Sequence, residues 1–447
     1  MKEGWEIKKL GEVFQMRPQK SEVKNKLHDN DEVTFLPMED LGICQIEVSG
    51  VKTKELKDVY SGYTYFSEND VLLAKITPCF ENGKLGIARN LVNGVGFGSS
   101  EYFVFRSKDI VLSEYLYYFL SQNDIKEDGK VSMGGAVGHQ RVAKEWIENV
   151  FISYPKSLSE QQRIVAILDE AFAAIAKAIA NAEQNLRNAK ELFESYLQRV
   201  FEKKGDGWEE KALKDLTTKI GSGATPRGGQ ENYKSEGISL VRSMNVHDWE
   251  FRVKNLALID EKQAKELDGV TLQEDDVLLN ITGASVARCC VFPKEYLPAR
   301  VNQHVSIIRP KEELLDSRFL NFLLTSKPYK DQLLFTGEQG ATRQAITKAQ
   351  IETFKISIPK LEIQKDIVNK LDSITTETKK LEAIYQQKIN DLEELRKSIL
   401  QKAFSGELSE SGYAGFKDKQ DLLGDKNSSK SSNHYNGDSD SLNYEQD

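Results

Sequence analysis

The side chains in this chain best suited to chemistry are suited to reading a surface rather than to reacting with one. In the C-terminal half, glycine-marked loops carry polar and basic tips: Thr225-Pro226-Arg227-Gly228-Gly229, Arg242-Ser243-Met244-Asn245, Thr282-Gly283-Ala284-Ser285, Asn302-Gln303-His304 and Thr342-Arg343-Gln344. The corresponding places in the N-terminal half hold Arg17-Pro18-Gln19-Lys20, Met38-Glu39-Asp40, Thr77-Pro78-Cys79, Ser99-Ser100-Glu101 and His139-Gln140-Arg141. Arg, Asn and Gln can offer two hydrogen bonds at once to a base edge, and glycine lets a backbone N–H approach a phosphate. The candidate nucleic-acid contacts are therefore Arg227, Arg242, Asn245, Thr282, Ser285, Gln303, His304, Arg343 and Gln344, and, in the first half, Lys20, Lys75, Gln140 and Arg141.

Catalytic signatures are missing. Gly83-Lys84 lacks the earlier glycine and the hydroxyl residue of a phosphate-binding loop, and Gly94, Gly96 and Gly98 stand in no clear strand–helix context. There is no Asn-Pro-Pro-aromatic run of the kind that holds a flipped adenine. The histidines (His28, His139, His247, His304 and His434) show no zinc-protease spacing. Cys44, Cys79, Cys289 and Cys290 form no C-x-x-C pair, so no metal site is expected and the thiols read as reduced and cytoplasmic. No run of about 18 apolar residues suggests a membrane span, and the Met1–Glu6 start lacks the apolar core of a secretion signal.

The 447 residues carry a net charge of −8, which on its face opposes nucleic-acid binding. Residues 1–157 hold 20 basic and 23 acidic side chains, and residues 205–360 hold 22 of each. Any nucleic-acid contact must then use a local basic cluster or positive surface supplied by a partner.

The elements that position these loops occur twice. Gly4-Trp5-Glu6 recurs as Gly207-Trp208-Glu209, Leu10 to Val13 as Leu213 to Leu216, and Asp70 to Leu73 as Asp276 to Leu279. Further on, Ile152 to Pro155 recurs as Ile356 to Pro359, and Leu197 to Phe201 as Leu400 to Phe404. Each unit opens with short β-rich runs such as Val71-Leu72-Leu73-Ala74 and Val305-Ser306-Ile307-Ile308, separated by Gly- and Pro-marked turns. A long helix follows. Ser157 to Glu160 reads as a capping box. From there a heptad-like seam runs through Ile164, Leu168, Ala171, Ile175, Ala178 and Ala182 to Ala189, Leu192 and Tyr196. The second seam runs through Ile367, Leu371, Ile374, Leu381, Tyr385 and Leu392.

The expected organisation is a mixed α+β chain: two duplicated α/β domains (1–157 and 205–360), each followed by a long helix (158–204 and 361–410), and a disordered tail (411–447). The helices are expected to pair as an antiparallel coiled coil in a pseudo-twofold molecule. Homodimerisation through the seams is the alternative use of those stripes, and a scaffold that binds only protein is the alternative function.

Each domain opens with Trp-x-x-x-x-Leu (Trp5 to Leu10, Trp208 to Leu213), and the helices open Leu158-Ser159-Glu160-Gln161-Gln162-Arg163-Ile164 and Leu361-Glu362-Ile363-Gln364-Lys365-Asp366-Ile367. The second helix closes Gln401-Lys402-Ala403-Phe404-Ser405-Gly406-Glu407-Leu408. Over about residues 1–410 this resembles the DNA-specificity subunit of a type I restriction–modification system. It departs from it where Ile363 stands in the place of Glu160, and where the first helix lacks the Ser-Gly-Glu-Leu ending.

The resemblance implies a non-catalytic subunit whose two target-recognition domains each read half of a split sequence in double-stranded DNA. The helices, through Ile164, Leu168, Ile175, Ile367, Leu371 and Leu381, would set the gap and dock two modification subunits, with two restriction subunits beside them. S-adenosylmethionine, ATP and Mg would belong to those partners, with no cofactor held by this chain.

Overall fold

A computed structural model describes residues 3–43, 45–48, 52–136, 138–226, 233–338 and 345–408. Arg227, Arg343, Gln344 and the tail expected to be disordered lie outside the described residues. The chain forms two compact units, 1–181 with 388–447, and 182–387.

The first unit is built on a four-stranded antiparallel sheet in the order Phe14–Met16, Tyr102–Ser107, Val71–Ala74, Leu85–Ile87. The second repeats it as Thr217–Ser222, Val305–Pro310, Val277–Asn280, Cys289–Val291. The strand Val71–Ala74 is wholly apolar, and Val277 to Leu279 repeats it, because both faces of the sheet are covered. Val71 and Leu73 enter a core shared with the helices, whereas Leu72 and Ala74 face a separate core with Leu36, Phe66 and Tyr102. Val277 and Leu279 divide from Leu278 in the same way. A second sheet in each unit, of four strands in the first and three in the second, carries a parallel pair, Glu32–Leu36 with Val95–Gly98 in one and Ile238–Val241 with Ala299–Val301 in the other. The recurring aspartate is explained here. Asp70 and Asp276 are buried, and each receives a two-pronged guanidinium, from Arg106 at 2.9 and 2.8 Å and from Arg309 at 2.7 and 2.7 Å.

The long helices span Leu158–Lys203 and Leu361–Ser405. In the first unit Ile164, Leu168, Ala171 and Ile175 pack with Leu392, Ile399, Leu400, Ala403 and Phe404 against the helix Ser113–Leu120. In the second unit Phe193, Leu197 and Phe201 join Val368 and Leu371 against the helix Ser317–Thr325. The start of one long helix thus shares a core with the end of the other, as an antiparallel pair requires. The repeated phenylalanine closes both cores: Phe404 lies 5.0 Å from Tyr115 and Phe201 5.4 Å from Phe319 between ring centroids.

Two details differ from the heptad reading. The buried seam of the first helix passes from Ala189 to Phe193, Leu197 and Phe201, leaving Leu192 54% exposed; a straight 3.6-residue helix drifts off a strict heptad. At the start of the helix Ser157 Oγ accepts the Glu160 N–H at 3.4 Å, and the Glu160 carboxylate also binds Arg163 at 2.7 Å, a partner that the capping-box reading did not include.

The joint between domain and helix is a fully buried glutamine in both units. Gln161 Nε2 donates to the carbonyls of Ile110 (2.9 Å) and Pro155 (2.8 Å), and its Oε1 accepts the Leu112 N–H (2.9 Å). Gln364 makes the same three bonds, to Leu314 (3.0 Å), Pro359 (2.9 Å) and the Asp316 N–H (2.9 Å). Removing such an amide strands buried backbone groups, each costing about 1–3 kcal/mol before any water enters. Gln161→Ala and Gln364→Ala are each expected to lower stability by about 2–4 kcal/mol in urea unfolding. A loss no larger than that of the exposed control Gln162→Ala would contradict this role.

Candidate nucleic-acid interface

Beyond the ends of the central strands, both units use the same backbone frame. In the first, the Lys75 N–H donates to Glu101 O (2.9 Å) and the Val142 N–H to Lys75 O (2.8 Å). In the second, the Ile281 N–H donates to His304 O (3.0 Å) and the Ile346 N–H to Ile281 O (2.8 Å). Lys75, Glu101 and Arg141 therefore occupy the places of Ile281, His304 and Ala345.

The first frame holds a charged cluster. Arg141 donates from Nε and one terminal nitrogen to the two Glu101 oxygens, both at 2.9 Å, and from the other terminal nitrogen to His139 O at 3.3 Å. Lys75 Nζ donates to Ser100 O at 2.8 Å and lies 4.0 Å from Glu101. Burial pulls the Lys75 ammonium below its ordinary range, and the nearby charges of Arg17 and Arg141 add to that. The hydrogen bonds from Arg141 hold Glu101 below the usual carboxylate range, against burial. With a lowered folded value, the Glu101 contribution is complete above its unfolded pKa and is lost only as pH falls through the folded one. The loop is pinned by reciprocal Gly134–Arg141 backbone bonds of 3.0 and 2.9 Å, and Gly135 adopts φ +123°, where a Cβ would sit 2.9 Å from His139 O. Lys75 and Arg141 flank the one carboxylate, and the Arg17 charge acts on Lys75, which makes this the local positive site that the overall charge conceals.

Among the described residues, the second frame sets hydroxyl, amide and imidazole groups where the first sets a carboxylate and its cations. Thr225 Oγ1 donates to Gln303 Oε1, Gln303 Nε2 meets His304 Nε2 at 3.2 Å, and His304 Nδ1 meets Thr282 Oγ1 at 2.6 Å. If Gln303 donates to Nε2, the histidine proton lies on Nδ1 and points at Thr282, so the chain of bonds runs in one sense. An open cleft of about 580 Å³ follows the Thr217–Ser222 strand and is lined by Lys214, Lys219 and Lys348.

The candidate residues fall into three groups. Lys75, Gln140 and Arg141 come together in one cluster, and Thr282, Gln303 and His304 in the other, with Ser285 in the turn Gly283–Ser285 that follows Thr282. Lys20 stands apart, donating to Tyr60 O at 2.9 Å. Asn245 is corrected: it is fully buried, its Oδ1 accepts the Arg242 N–H (3.1 Å) and its Nδ2 donates to Arg252 O (2.8 Å), so it fixes a loop and offers no free edge. Arg242 lies against the Tyr233 ring at 5.1 Å and donates to Asn255 O.

The docking role given to Ile164, Leu168, Ile175 and Leu371 is likewise corrected, because all four are spent in the internal cores. Ile367 packs against the second unit's core beside Leu371, and Leu381 is 36% exposed. Glu101 and Thr225 were missed as site residues. Comparing the halves at Glu101 and His304 was the signal for Glu101, whereas the contact of Thr225 with Gln303 joins residues too distant in sequence to be foreseen.

Tandem α/β units, each ending in a long helix and bearing variable polar tips on a common frame, define a two-domain recognition protein. A profile of the family described as "Type I restriction modification DNA specificity domain" matches residues 2–184 and 205–394, and the chain belongs to that family. The chain is 36% identical to the type I restriction enzyme EcoAI specificity subunit of Escherichia coli over 164 residues, 36% of this chain and 27% of that protein. It thus spans about a quarter of that relative's length. It is 24% identical to the MjaVIII specificity subunit of Methanocaldococcus jannaschii over 361 residues, 76% of this chain and 80% of the relative. In fold it is similar to the HsdS subunit of Thermoanaerobacter tengcongensis (TM-score 0.62, 20% identity, 91% of this chain and 98% of that one). It is also similar to a chain from a structure of a type I R-M system (TM-score 0.71, 20% identity, 91% and 99%).

Because the second unit builds the same frame with Ile281, the charge at Lys75 is not needed for folding. Lys75→Ile is expected to stabilise the first unit by about 1 kcal/mol, by exchanging a desolvated ammonium for apolar burial. A lowered thermal midpoint would contradict that exchange.

Proposed function

We propose that this chain is the DNA-recognition subunit of a type I restriction–modification complex in the cytoplasm, and that it carries out no catalysis itself. Each unit reads one half of a bipartite duplex sequence with the tips around its central strands. The observation that carries this reading is the identical frame bearing Lys75, Glu101 and Arg141 in one unit and Ile281, His304 and Ala345 in the other. A scaffold duplicated only for packing has no reason to vary charge at those places while keeping the backbone bonds. Arg17 and Lys75 supply attraction on the first unit, and Lys214, Lys219 and Lys348 on the second, as phosphate contacts. Arg227, Arg343 and Gln344 remain base-reading candidates, and Ser285 and Lys20 peripheral ones.

Two modification subunits dock on the outward helix faces, where Leu192, Leu381 and Ile384 are exposed, and two restriction subunits join them. S-adenosylmethionine, ATP and Mg are held by those subunits.

The helices act as the spacer. Their buried faces pair, so a length change must be made in both to keep register. Seven residues added after Asn185 and seven after Leu381 lengthen the pair by about 10 Å, equivalent to about three base pairs. Mapping adenine methylation in cells that carry the altered chain with its modification subunit is expected to show a changed gap of up to about three base pairs and unchanged half-sites. An unchanged gap would sink the spacer role, and the absence of any bipartite motif with the unaltered chain would sink the DNA reading itself.

A further inference from the structure

We infer that Arg141 reads a guanine in the half-site of the first unit, and that Glu101 is the positioning residue that aims it. This rests on the DNA-recognition reading above and deepens it. The Glu101 carboxylate occupies the guanidinium edge made by Nε and one terminal nitrogen, at 2.9 Å on each side. The contact to His139 O takes one proton of the other terminal nitrogen. The edge between the two terminal nitrogens is the donor pair that the carboxylate leaves uncovered, on a side chain 49% exposed. Two parallel donors at that spacing match O6 and N7 of guanine in the major groove. Adenine sets an amino donor beside N7 and repels the same fork.

Three features separate this pair from an ordinary surface ion pair. It is bidentate, so the guanidinium plane is fixed before any ligand arrives, and the ordering cost of reading is already met. It stands on a loop tied down by the reciprocal Gly134–Arg141 bonds and by the Thr77 N–H to Gln140 O bond of 3.0 Å. The fold does not need it, because the equivalent frame in the second unit is completed with Ile281, His304 and Ala345. Lys75, beside the carboxylate, keeps the cluster positive once Glu101 has cancelled one charge. An arginine left free to swing would serve a phosphate equally well; one clamped by a carboxylate is committed to a direction.

The test is selection of bound duplexes from a library with two randomised windows and variable spacing, using the full chain co-purified with its modification subunit. The unaltered complex should enrich a bipartite motif with a required guanine in one half. Arg141→Ala and Arg141→Lys should each lose roughly 5- to 150-fold of the preference for guanine over adenine at that one position. Glu101→Gln should relax the same position by less. The other half-site, read in the same molecule, serves as the control for folding and assembly. Uniform weakening of all sequences by Arg141→Ala would make Arg141 a phosphate contact and overturn the assignment, as would an unchanged motif. A complex whose unaltered form enriches no sequence removes the DNA reading and the assignment with it, whereas a motif that survives Arg141→Ala removes the assignment alone.

Discussion

The construction of both units turns on one buried side-chain amide. A long helix leaves its first backbone N–H groups unpaired, and a domain joined to it through a single peptide could pivot. Gln161 and Gln364 stop that pivot by bonding three backbone groups on two segments of chain at once: the carbonyl of the proline two or three residues before the helix, a carbonyl in the preceding connection, and the N–H group two residues beyond that carbonyl. The cost of burying an amide is offset only when all its polar atoms are satisfied, so the arrangement tolerates one geometry. The direction of each long helix is thereby fixed relative to its sheet, and the positions of the loops beyond that sheet follow from it.

The duplication makes the chain its own comparison. Positions with a structural duty match in their bonding even where residue types differ. Asp70 with Arg106 repeats as Asp276 with Arg309, and Phe404 against Tyr115 repeats as Phe201 against Phe319. Positions around the strand ends keep the backbone bonds and change the chemistry. Folding constrains the first set; only what the tips meet constrains the second. The half-buried Lys75 shows the difference in energetic terms, since the same frame accepts isoleucine and the ammonium is held there against desolvation.

Much of this was legible in the sequence. The repeat announced two units, the apolar four-residue runs announced central strands, and the spacing from Ile164 to Ile175 announced a buried helix face that is indeed buried. What was not legible depends on three-dimensional satisfaction of polar groups. Gln161 and Gln364 sat in plain view as part of a recurring helix opening, but nothing in their type or spacing says that three backbone groups wait for them. Asn245 looked like a reader because amides read bases; it proved to be bonded inward to Arg242 and Arg252. Leu192 looked like a seam residue under a seven-residue repeat and lost its place to Phe193 because a long helix is wound at 3.6 residues per turn.

The charge of the chain illustrates why composition misleads about recognition. A net −8 predicts repulsion from a polyanion only if the charges act at long range, and at physiological salt they are screened beyond about 8 Å. What a phosphate or base edge meets is the immediate cluster. Around Glu101 that cluster holds Lys75 and Arg141, with the Arg17 charge acting on Lys75. The carboxylate within it does not cancel the attraction so much as give it direction, because it binds one edge of a planar cation and leaves the other. Recognition needs a charge held in place more than it needs an excess of charge, and an acidic protein can hold one.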